Sequence, residues 1–530
     1  MTRATRLLTQ ITQHTLMTNR NFLRAGAGAV VLTALLACGD GLTDVNRNPN
    51  YPIDAAASAL FTNATRTTVE RWLGTTYDWR GGEFLAQHLA EVQYTDEDTY
   101  IRLARAYMTD TFDAAYYQEQ EDLKKVITKG VAANDPGTWA PATVLKTWSA
   151  DFLTDSWGDI PYADALAADT GGTTKPTYDA QQAVYADFFT TLDNAATVLA
   201  GGASASLGSA DPIYEGDPAA WAKFANSLHA RLAMRIVNQD PATASTELAK
   251  AFTAPGGVFT SNADNAALKW PGDGIYDNPL STSLQTRDDY RMSNTFMDIL
   301  TGYSDPRLPI FADTTDAGIY AGAPNGVDAP TAQPFITNAS RVGRIFFPGA
   351  TSYTTYGGLG ATLPSQLLTY AEVEFIKAEA AARTMGGLTP AQAPAFYVEA
   401  IRASMEQWGV TDATAIAAYL ARPEVAYQGG LAGQKQIAIQ KWIALYGDGG
   451  NAWFEWRRTC QPSTIAPGPA ATEIFVPRRF YYSQTEVSVN GANVDAAVTQ
   501  QGGDDSFGTR VWWDQPANAP TCVGVNLNLP

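Results

Sequence analysis

The sequence contains few of the residue combinations that catalyse reactions. Its three histidines are His14, His88 and His229, and neither a His-x-x-x-His pair nor a Cys-x-x-Cys cluster offers a zinc site. It has no Gly-x-Ser-x-Gly elbow and no glycine-rich loop that would cradle a phosphate. Pairs of carboxylates carry no information here, because 54 acidic residues make some pair at hydrolase spacing unavoidable. We therefore expect no catalysis, no cofactor and no metal.

A second kind of chemistry, the non-covalent binding of a polar ligand, has better support. Sugar rings stack their C–H faces on aromatic side chains, and their hydroxyls need Asn, Asp, Gln or Arg partners. Candidates of these types outside the predicted helices are Trp79, Tyr100, Trp270, Tyr276, Asp277, Asn278, Arg287, Asp289, Tyr290, Tyr353 and Tyr356. A single ring is more often part of the packing than a ligand contact, so the prediction concerns the region. We expect loss of the Trp270 or Tyr290 ring to weaken binding while leaving the melting temperature nearly unchanged.

Regular apolar spacing predicts helices on both sides of the central candidates. Apolar residues recur every three or four positions in segments that span 55–73, 104–127, 139–153, 181–199, 218–237, 367–385, 390–408 and 433–446. Before the fifth of these, Asp217 and Pro218 form a cap followed by a first-turn proline. The rings of Trp221 and Phe224 on its apolar stripe are assigned to the core. Paired helices of this kind predict a mostly α fold with tetratricopeptide-like hairpins, although no clean repeat of about 34 residues is present.

Two segments lack helical periodicity. Gly, Pro, Asp, Thr and Tyr dominate residues 255–364, and so long an irregular stretch inside a compact domain is usually functional. The tail 460–530 mixes Pro, Gly and aromatics, and we expect at most short strands there. We predict one domain over 55–530. In it, a helical part at 55–254 precedes the loop-rich segment 255–364, which is the predicted binding region, and a helical part at 365–459 precedes the irregular tail.

Composition and charge indicate a folded protein that does not bind nucleic acid. With 530 residues, 45% of them hydrophobic and 11% aromatic, the chain can bury a large core. Its formal net charge is −18. Such an acidic chain repels phosphate backbones, so nucleic acid is not an expected partner.

The N-terminus is typical of an exported protein. Arg20 and Arg24 precede an apolar run at 25–36, which at about twelve residues is too short for a bilayer core that needs roughly twenty. The run ends in "LLAC", which resembles a bacterial lipobox, so we predict cleavage before Cys38 and lipidation of its thiol. Two or more acyl chains would hold the protein stably on a membrane.

This prediction assigns residues 1–37 to a lipoprotein signal peptide and residues 38–54 to a lipidated tether. The tether is rich in turn-forming Gly, Asp, Asn and Pro. An ordinary signal peptide with an incidental cysteine is the less favoured alternative. Met17 also opens a signal peptide of ordinary length, so the sequence leaves the start at Met1 or Met17 open.

The remaining cysteines and one acidic loop leave alternatives open. Cys460 and Cys522 form an even pair in an exported chain, which is compatible either with one disulfide or with two free buried thiols. The segment "YTDEDTY" at 94–100 carries oxygen ligands that calcium accepts, but it lacks the spaced Asp-x-Asp-x-Asp-Gly pattern. We interpret it as a solvated acidic loop.

Several motifs occur together in a recognisable order. They are "VNRNPNYP" at 45–52, "DSWGDIPYADAL" at 155–166, "DPIYEGDPAAWAKFANSLHARLAMRI" at 211–236, "SDPRLPIF" at 304–311, "LLTYAEVEFIKAEAAAR" at 367–383, "QKWIALYGDGGNAWFEWRRT" at 440–459, "PRRFYYSQTE" at 477–486 and "VWWDQP" at 511–516. In this order they resemble the SusD/RagB family of outer-membrane nutrient-binding lipoproteins, in particular its SusD-like subgroup. The resemblance spans nearly the whole mature chain. It is weakest in 255–364, where only "DPRL" matches.

The resemblance implies a tetratricopeptide-like helical scaffold without catalytic activity. It implies a lipoprotein anchored in the outer membrane and facing the cell exterior, which captures an oligosaccharide and acts as a lid over a SusC-like TonB-dependent transporter. Some members capture a peptide instead. Most of the shared motifs carry structure: Arg457 and Arg458 are expected to be buried and paired with an acid such as Glu372 or Glu379.

Two other classes compete with this interpretation. One is a lipid-anchored helical hydrolase that cleaves glycans with two carboxylates. The other is a lipid-anchored scaffold of helical repeats without a small ligand, which the aromatic-rich segment 255–364 argues against. The sequence names neither the ligand nor the transporter, and it does not decide whether calcium is bound.

Overall fold

The computed structural model describes residues 55–104, 106–347, 360–515 and residue 522. The predicted signal peptide, the lipidation site Cys38 and the whole of the predicted tether lie outside these ranges. None of the helices within them is both long enough and apolar enough to span a bilayer.

Most of the described chain is helical. The α-helices are α1 Ala57–Trp72, α2 Glu83–Leu85, α3 Ala106–Ala114, α4 Glu121–Ala132, α5 Pro136–Trp157, α6 Gln181–Ala200, α7 Pro218–Arg235, α8 Pro241–Thr253, α9 Pro279–Leu284, α10 Asn294–Tyr303, α11 Leu308–Phe311, α12 Ala329–Ala332, α13 Phe335–Asn338, α14 Tyr370–Ala382, α15 Ala393–Gln407, α16 Ala413–Leu420, α17 Gly430–Ala444, α18 Gly449–Thr459, α19 Gln484–Val489 and α20 Gly491–Gln500. Two π-helices, Thr75–Gly82 and Ala115–Gln120, lie next to α2 and α4. Short 3₁₀ turns are Ala168–Thr170, Gly208–Ala210, Asn262–Asp264, Arg344–Phe346, Gly360–Thr362, Pro390–Gln392 and Trp512–Asp514.

Helices that follow one another in the chain pack side by side, as the predicted hairpins require. Helices α4 to α8 form such a consecutive series, and α14 packs on α15. Helix α7 shows why the sequence folds this way: the Asp217 carboxylate accepts from the Ala219 N–H, and Pro218 occupies the first turn. Trp221 and Phe224 are completely buried on its inner face. The prediction of a mostly helical fold is confirmed.

The described residues form three short antiparallel ladders, two of which connect the central segment to other parts of the chain. Strand β1 Leu89–Glu91 pairs with β5 Tyr290–Met292, and β2 Ile160–Pro161 pairs with β3 Tyr178–Asp179. Strand β4 Ala266–Leu268 pairs with β6 Ser365–Leu368. The β4–β6 ladder fixes the segment that precedes α9, and the β1–β5 ladder fixes the segment that follows it.

The tail differs from the sequence prediction. We expected at most short strands after residue 460, but the described part of the tail contains helices α19 and α20 and no strand. The Ser483 hydroxyl caps α19 by accepting from the N–H groups of Thr485 and Glu486. Helices of 6 and 10 residues span too few turns for apolar periodicity to be visible in the sequence.

The core also contains a network of buried charges. Glu455 accepts from Arg458 at 2.6 Å and lies 3.3 Å from Lys441 and 3.4 Å from Arg235. Arg458 binds Glu379 through both terminal nitrogens, at 2.7 and 2.6 Å. Burial raises the pKa of Glu379, but the neighbouring arginines outweigh burial and lower it to about 2.

The arginines of the "WFEWRRT" motif divide into two roles. Arg458 pairs with Glu379, as expected, whereas Glu372 pairs with Arg231 at 2.5 Å. Arg457 differs from the expectation: it stacks on Trp453, with its guanidinium carbon 4.0 Å from the ring centroid, and donates to main-chain carbonyl oxygens. One arginine therefore neutralises an acid and the other fills an aromatic pocket.

Cys460 and Cys522 are joined by a disulfide in the structure. Of the two alternatives that the sequence left open, the structure has the bonded one. The bond attaches residue 522 to the residue that directly follows α18.

Candidate functional site

An open groove lies between α1 and the segment that connects β4 to α9. Helix α1 forms one wall because its faces differ. Phe61, Val69 and Trp72 are buried on its inner face, whereas the polar side chains of Asn63 and Arg66 face the groove. The alternation follows the helical period, which places positions three or four residues apart on one side.

The first π-helix continues this wall. Gly74 makes the junction possible, since a Cβ at this position would lie 2.0 Å from the carbonyl oxygen of Glu70. Only glycine tolerates so close an approach. The junction brings Thr75, Thr76 and Arg80 to the same groove as Glu70.

The opposite wall is a compact loop at 271–277, which we call the Tyr276 loop. The Asp273 carboxylate accepts from the N–H groups of Ile275 and Tyr276 at 2.9 and 2.8 Å. The Asp277 carboxylate accepts from the Gly274 N–H at 2.8 Å, and Gly274 has a φ of +82°. These turns hold the tip of the loop in a conformation that favours glycine.

Two aromatic residues of this wall have different environments. Trp270 is only 6% exposed, and its indole N–H donates to the Ser365 hydroxyl of β6 at 2.9 Å. Tyr276 is 48% exposed, and the Arg66 guanidinium carbon lies 5.6 Å from the centroid of its ring. Trp270 therefore supports the wall, and Tyr276 presents a ring to solvent.

The groove consists of two adjoining cavities that share Arg66, Trp270 and Tyr276. The first, which we call the Arg80 cavity, measures about 360 Å³ and includes Glu70, Thr76, Arg80, Asp277 and Ser283. The second, the Lys269 cavity, measures about 460 Å³ and includes Ala59, Thr62, Asn63, Lys269 and Pro271. Each volume falls within the range typical of small-molecule sites.

The groove has the properties that a saccharide site requires. A half-exposed tyrosine ring offers a face for the C–H groups of a sugar, and hydroxyl, amide, carboxylate and guanidinium groups surround it. Both of its carboxylates are engaged: Glu70 with Arg66 at 2.5 Å, and Asp277 with the main chain. The arrangement suits binding rather than proton transfer.

Three of the predicted site residues come together here, namely Trp270, Tyr276 and Asp277. Asn278 is adjacent in the chain but buried, where its side-chain oxygen caps α9 and its amide donates to the Leu363 carbonyl. Tyr353 and Tyr356 lie outside the described residues.

The prediction of exposed rings is wrong for Trp79, Tyr100, Trp270 and Tyr290, all of which are buried. Trp79 belongs to the first π-helix and meets the Tyr290 ring edge-on at 5.0 Å. Because both rings belong to the main hydrophobic cluster, the structure instead leads us to expect that loss of Trp270 or Tyr290 lowers the melting temperature.

Arg287 and Asp289 form a separate charged cluster beside the groove. The Arg287 guanidinium pairs with Asp289 and lies between the rings of Tyr94 and Tyr290, 4.9 and 4.8 Å from their centroids. Arg80 connects this cluster to the groove by donating to the Tyr290 hydroxyl at 3.3 Å. The predicted polar partners are thus mostly paired with protein atoms.

Sequence reasoning missed the contribution of α1. Asn63, Arg66 and Glu70 are spaced three and four residues apart, which places them on one helical face. That spacing was visible, but solvated faces of ordinary helices look the same. Lys269 was missed because a single charged residue beside a tryptophan has no distinguishing pattern.

Two other features of the described chain, a second cavity and a cluster of possible metal ligands, fit a binding site less well than the groove does. A cavity of about 340 Å³ beside Gln87 and Asn294 has no aromatic ring among the described residues that line it. Asp193, His229 and Glu247 offer metal-ligand atoms within 4.8 Å of one another. However, the two nitrogens of His229 already lie 3.0 and 2.9 Å from those carboxylates, as in an imidazolium held between two acids.

Comparisons with known proteins find a matching family model and solved structures with a similar fold. A family model described as "SusD-like_2: Starch-binding associating with outer membrane" matches residues 49–483. A chitin-binding SusD homolog from Flavobacterium johnsoniae is 26% identical, with a TM-score of 0.74 over 88% of this chain and 98% of its own. A SusD homolog from Bacteroides uniformis is 27% identical, with a TM-score of 0.71 over 87% of this chain and 100% of its own. A comparison with curated proteins finds no match.

Proposed function

The chain belongs to the SusD-like family, and from this premise we propose that it captures an oligosaccharide at the cell surface without cleaving it. We propose further that lipid on Cys38 anchors it in the outer membrane, and that it delivers the glycan as a lid to a SusC-like TonB-dependent transporter. The family's description, starch-binding and associating with the outer membrane, supports the first part of this proposal.

The observation that carries the proposal is the environment of Tyr276. Its ring is half exposed between two cavities, on a loop held rigid by its own turns, and the Arg66 guanidinium lies beside it. Exposed aromatic rings on ordered loops are where recognition of sugars concentrates. The relative from Flavobacterium johnsoniae, described as chitin-binding, supports a glycan as ligand.

The test is a binding assay with a panel of soluble oligosaccharides. We expect the purified chain to retain at least one glycan without shortening it. Tyr276→Ala should lower the affinity roughly 5- to 150-fold, which corresponds to about 1–3 kcal/mol for the loss of one stacking ring.

The matched control is Tyr117→Ala. Tyr117 is also an exposed tyrosine, at 63%, but it lies on the second π-helix and lines neither cavity. Its replacement should leave affinity unchanged. Equal affinity of Tyr276→Ala and the wild type would contradict the assigned site, and cleavage products that disappear when one Asp or Glu is replaced would favour the hydrolase.

The anchor is tested separately by Cys38→Ala. We expect this variant to move from the membrane fraction to the soluble fraction and to lose incorporation of a fatty-acid label. A variant that stays membrane-bound, together with a wild type that never takes up the label, would contradict the lipoprotein assignment.

A further inference from the structure

The two cavities of the groove differ in charge. The Arg80 cavity is balanced: Arg66 and Arg80 face Glu70 and Asp277. The Lys269 cavity contains Arg66 and Lys269, and none of the described residues that line it is acidic. A local excess of positive charge therefore exists on a chain whose formal net charge is −18.

Lys269 is the source of this excess. It is exposed between Leu268, the last residue of β4, and the buried Trp270. In the described part of the chain, no carboxylate lies within 4.0 Å of its ammonium group. Most other basic side chains of the described ranges are paired, including Arg80, which lies 3.6 Å from Glu97.

Arg66 is the second cation of this cavity, and its partner lies on the other side. Glu70, with which it pairs, lines the Arg80 cavity but not the Lys269 cavity. Toward the Lys269 cavity the same guanidinium donates to the Asn63 side-chain oxygen at 3.3 Å. A planar guanidinium in this position suits a carboxylate, which can accept two parallel N–H donors.

We propose that the Lys269 cavity receives a sugar unit that bears a carboxylate, a hexuronate, while the Arg80 cavity receives neutral units of the same chain. The inference rests on the proposed function and specifies its ligand class. The acidic surface of the protein as a whole repels anions at long range. Within the Lys269 cavity, the unpaired lysine would instead attract the carboxylate of a hexuronate. The ring of Tyr276, which borders both cavities, would stack on the unit at the boundary.

The experiment compares each acidic oligosaccharide with its own carboxyl-reduced form. The probes are tetrasaccharides of galacturonate, of mannuronate and of glucuronoxylan, each beside the neutral product of its reduction, measured by calorimetry at low and at high salt. We expect at least one acidic member to bind about three- to tenfold tighter than its neutral form. The difference should shrink in about 0.5 M NaCl, because exposed charge pairs are screened.

Lys269→Ala should reduce this preference roughly two- to fivefold, because it should weaken binding of the acidic form more than binding of its carboxyl-reduced form. Lys175→Ala is the matched control, since Lys175 is also exposed but lies outside both cavities. Its affinity and preference should equal those of the wild type.

The outcomes separate the two proposals. If neutral glycans bind in a manner that depends on Tyr276, with equal or weaker binding of every acidic form, the hexuronate inference is overturned and the proposed function stands. If an acidic peptide binds with dependence on Lys269 while no glycan does, both fall. A carboxylate preference that Lys269→Ala leaves intact would place the anion elsewhere and would also overturn the inference.

Discussion

The helical interior and the groove use the same residue types in opposite ways. In the interior, Trp221 and Trp453 are fully buried, and the carboxylate of Glu455 is surrounded by cations. In the groove, the Tyr276 ring is half exposed and the Lys269 ammonium is unpaired among the described residues. Aromatic and charged composition alone therefore does not distinguish the proposed binding site from the interior, whereas exposure combined with incomplete pairing does.

Removal of a buried charge should have the largest effect on stability. Glu455→Ala would leave Arg235, Lys441 and Arg458 without their shared carboxylate. Breaking a buried ion pair typically costs about 3–5 kcal/mol, because the remaining charge stays desolvated. We expect the free energy of unfolding, measured by denaturant titration, to fall by about this amount.

The control for this change is an exposed pair. Glu406 interacts with Arg402 at 3.1 Å, and both side chains are largely solvated. Glu406→Ala should change the free energy of unfolding by less than about 1 kcal/mol. Similar losses for the two variants would mean that the buried network contributes no more than a surface pair.

The second prediction concerns the two aromatic residues of the groove wall. Trp270→Ala should destabilise the protein by about 3 kcal/mol, because it removes a core ring and the hydrogen bond to Ser365. Tyr276→Ala should change stability by no more than about 0.5 kcal/mol. Thermal unfolding of both variants measures the difference, and an equal loss of melting temperature would contradict the division of the wall into a supporting ring and a presented ring.

Trp270 and Tyr276 also show which structural features could be predicted from the sequence and which could not. Helix α7 was predictable, because its apolar residues follow the helical period and Asp217 and Pro218 signal its start. The burial of Trp270 was not, since it depends on Ser365 of β6, a residue 95 positions away. Tyr276 could be assigned to the region but not distinguished from Trp79 or Tyr290, because exposure is a property of tertiary packing.

The third prediction tests whether a charged contact stabilises the scaffold itself. His229 of α7 lies between Asp193 of α6 and Glu247 of α8, and Glu247 also binds Lys250 at 2.9 Å. Burial lowers the pKa of His229, but the hydrogen bonds and charges of Asp193 and Glu247 outweigh it and raise this pKa above its ordinary value. In its protonated form, the imidazole would pair with carboxylates of both neighbouring helices and so link three helices.

Because the folded-state pKa is the higher one, the stabilisation is fully present below about pH 6.5, the ordinary pKa of histidine, and is lost as pH rises through the folded pKa. The side chain of Asp193 is 35% exposed, so screening limits the effect to about 1 kcal/mol. We expect the melting temperature of the wild type to fall, as pH rises above about 6.5, more steeply than that of His229→Gln. Parallel curves for the two proteins would show that His229 is not charged in the native state.

The smallest effect on stability is expected for an exposed ion pair of the groove. Glu70 pairs with Arg66 four residues earlier on α1, and its side chain is 49% exposed. Such pairs contribute only about 0.3–0.5 kcal/mol. Glu70→Gln should therefore leave the melting temperature nearly unchanged. It should nevertheless free the Arg66 guanidinium for a ligand and remove one negative charge from the Arg80 cavity, so affinity for an acidic oligosaccharide should rise about two- to fivefold.

Glu406→Gln is the matched control, because Glu406 also pairs with an arginine four residues earlier, on a helix outside the groove. If both variants change affinity alike, long-range charge explains the gain. A gain confined to Glu70→Gln would mean that the groove keeps Arg66 only loosely paired, in contrast to Arg458, which Glu379 and Glu455 both hold in the interior.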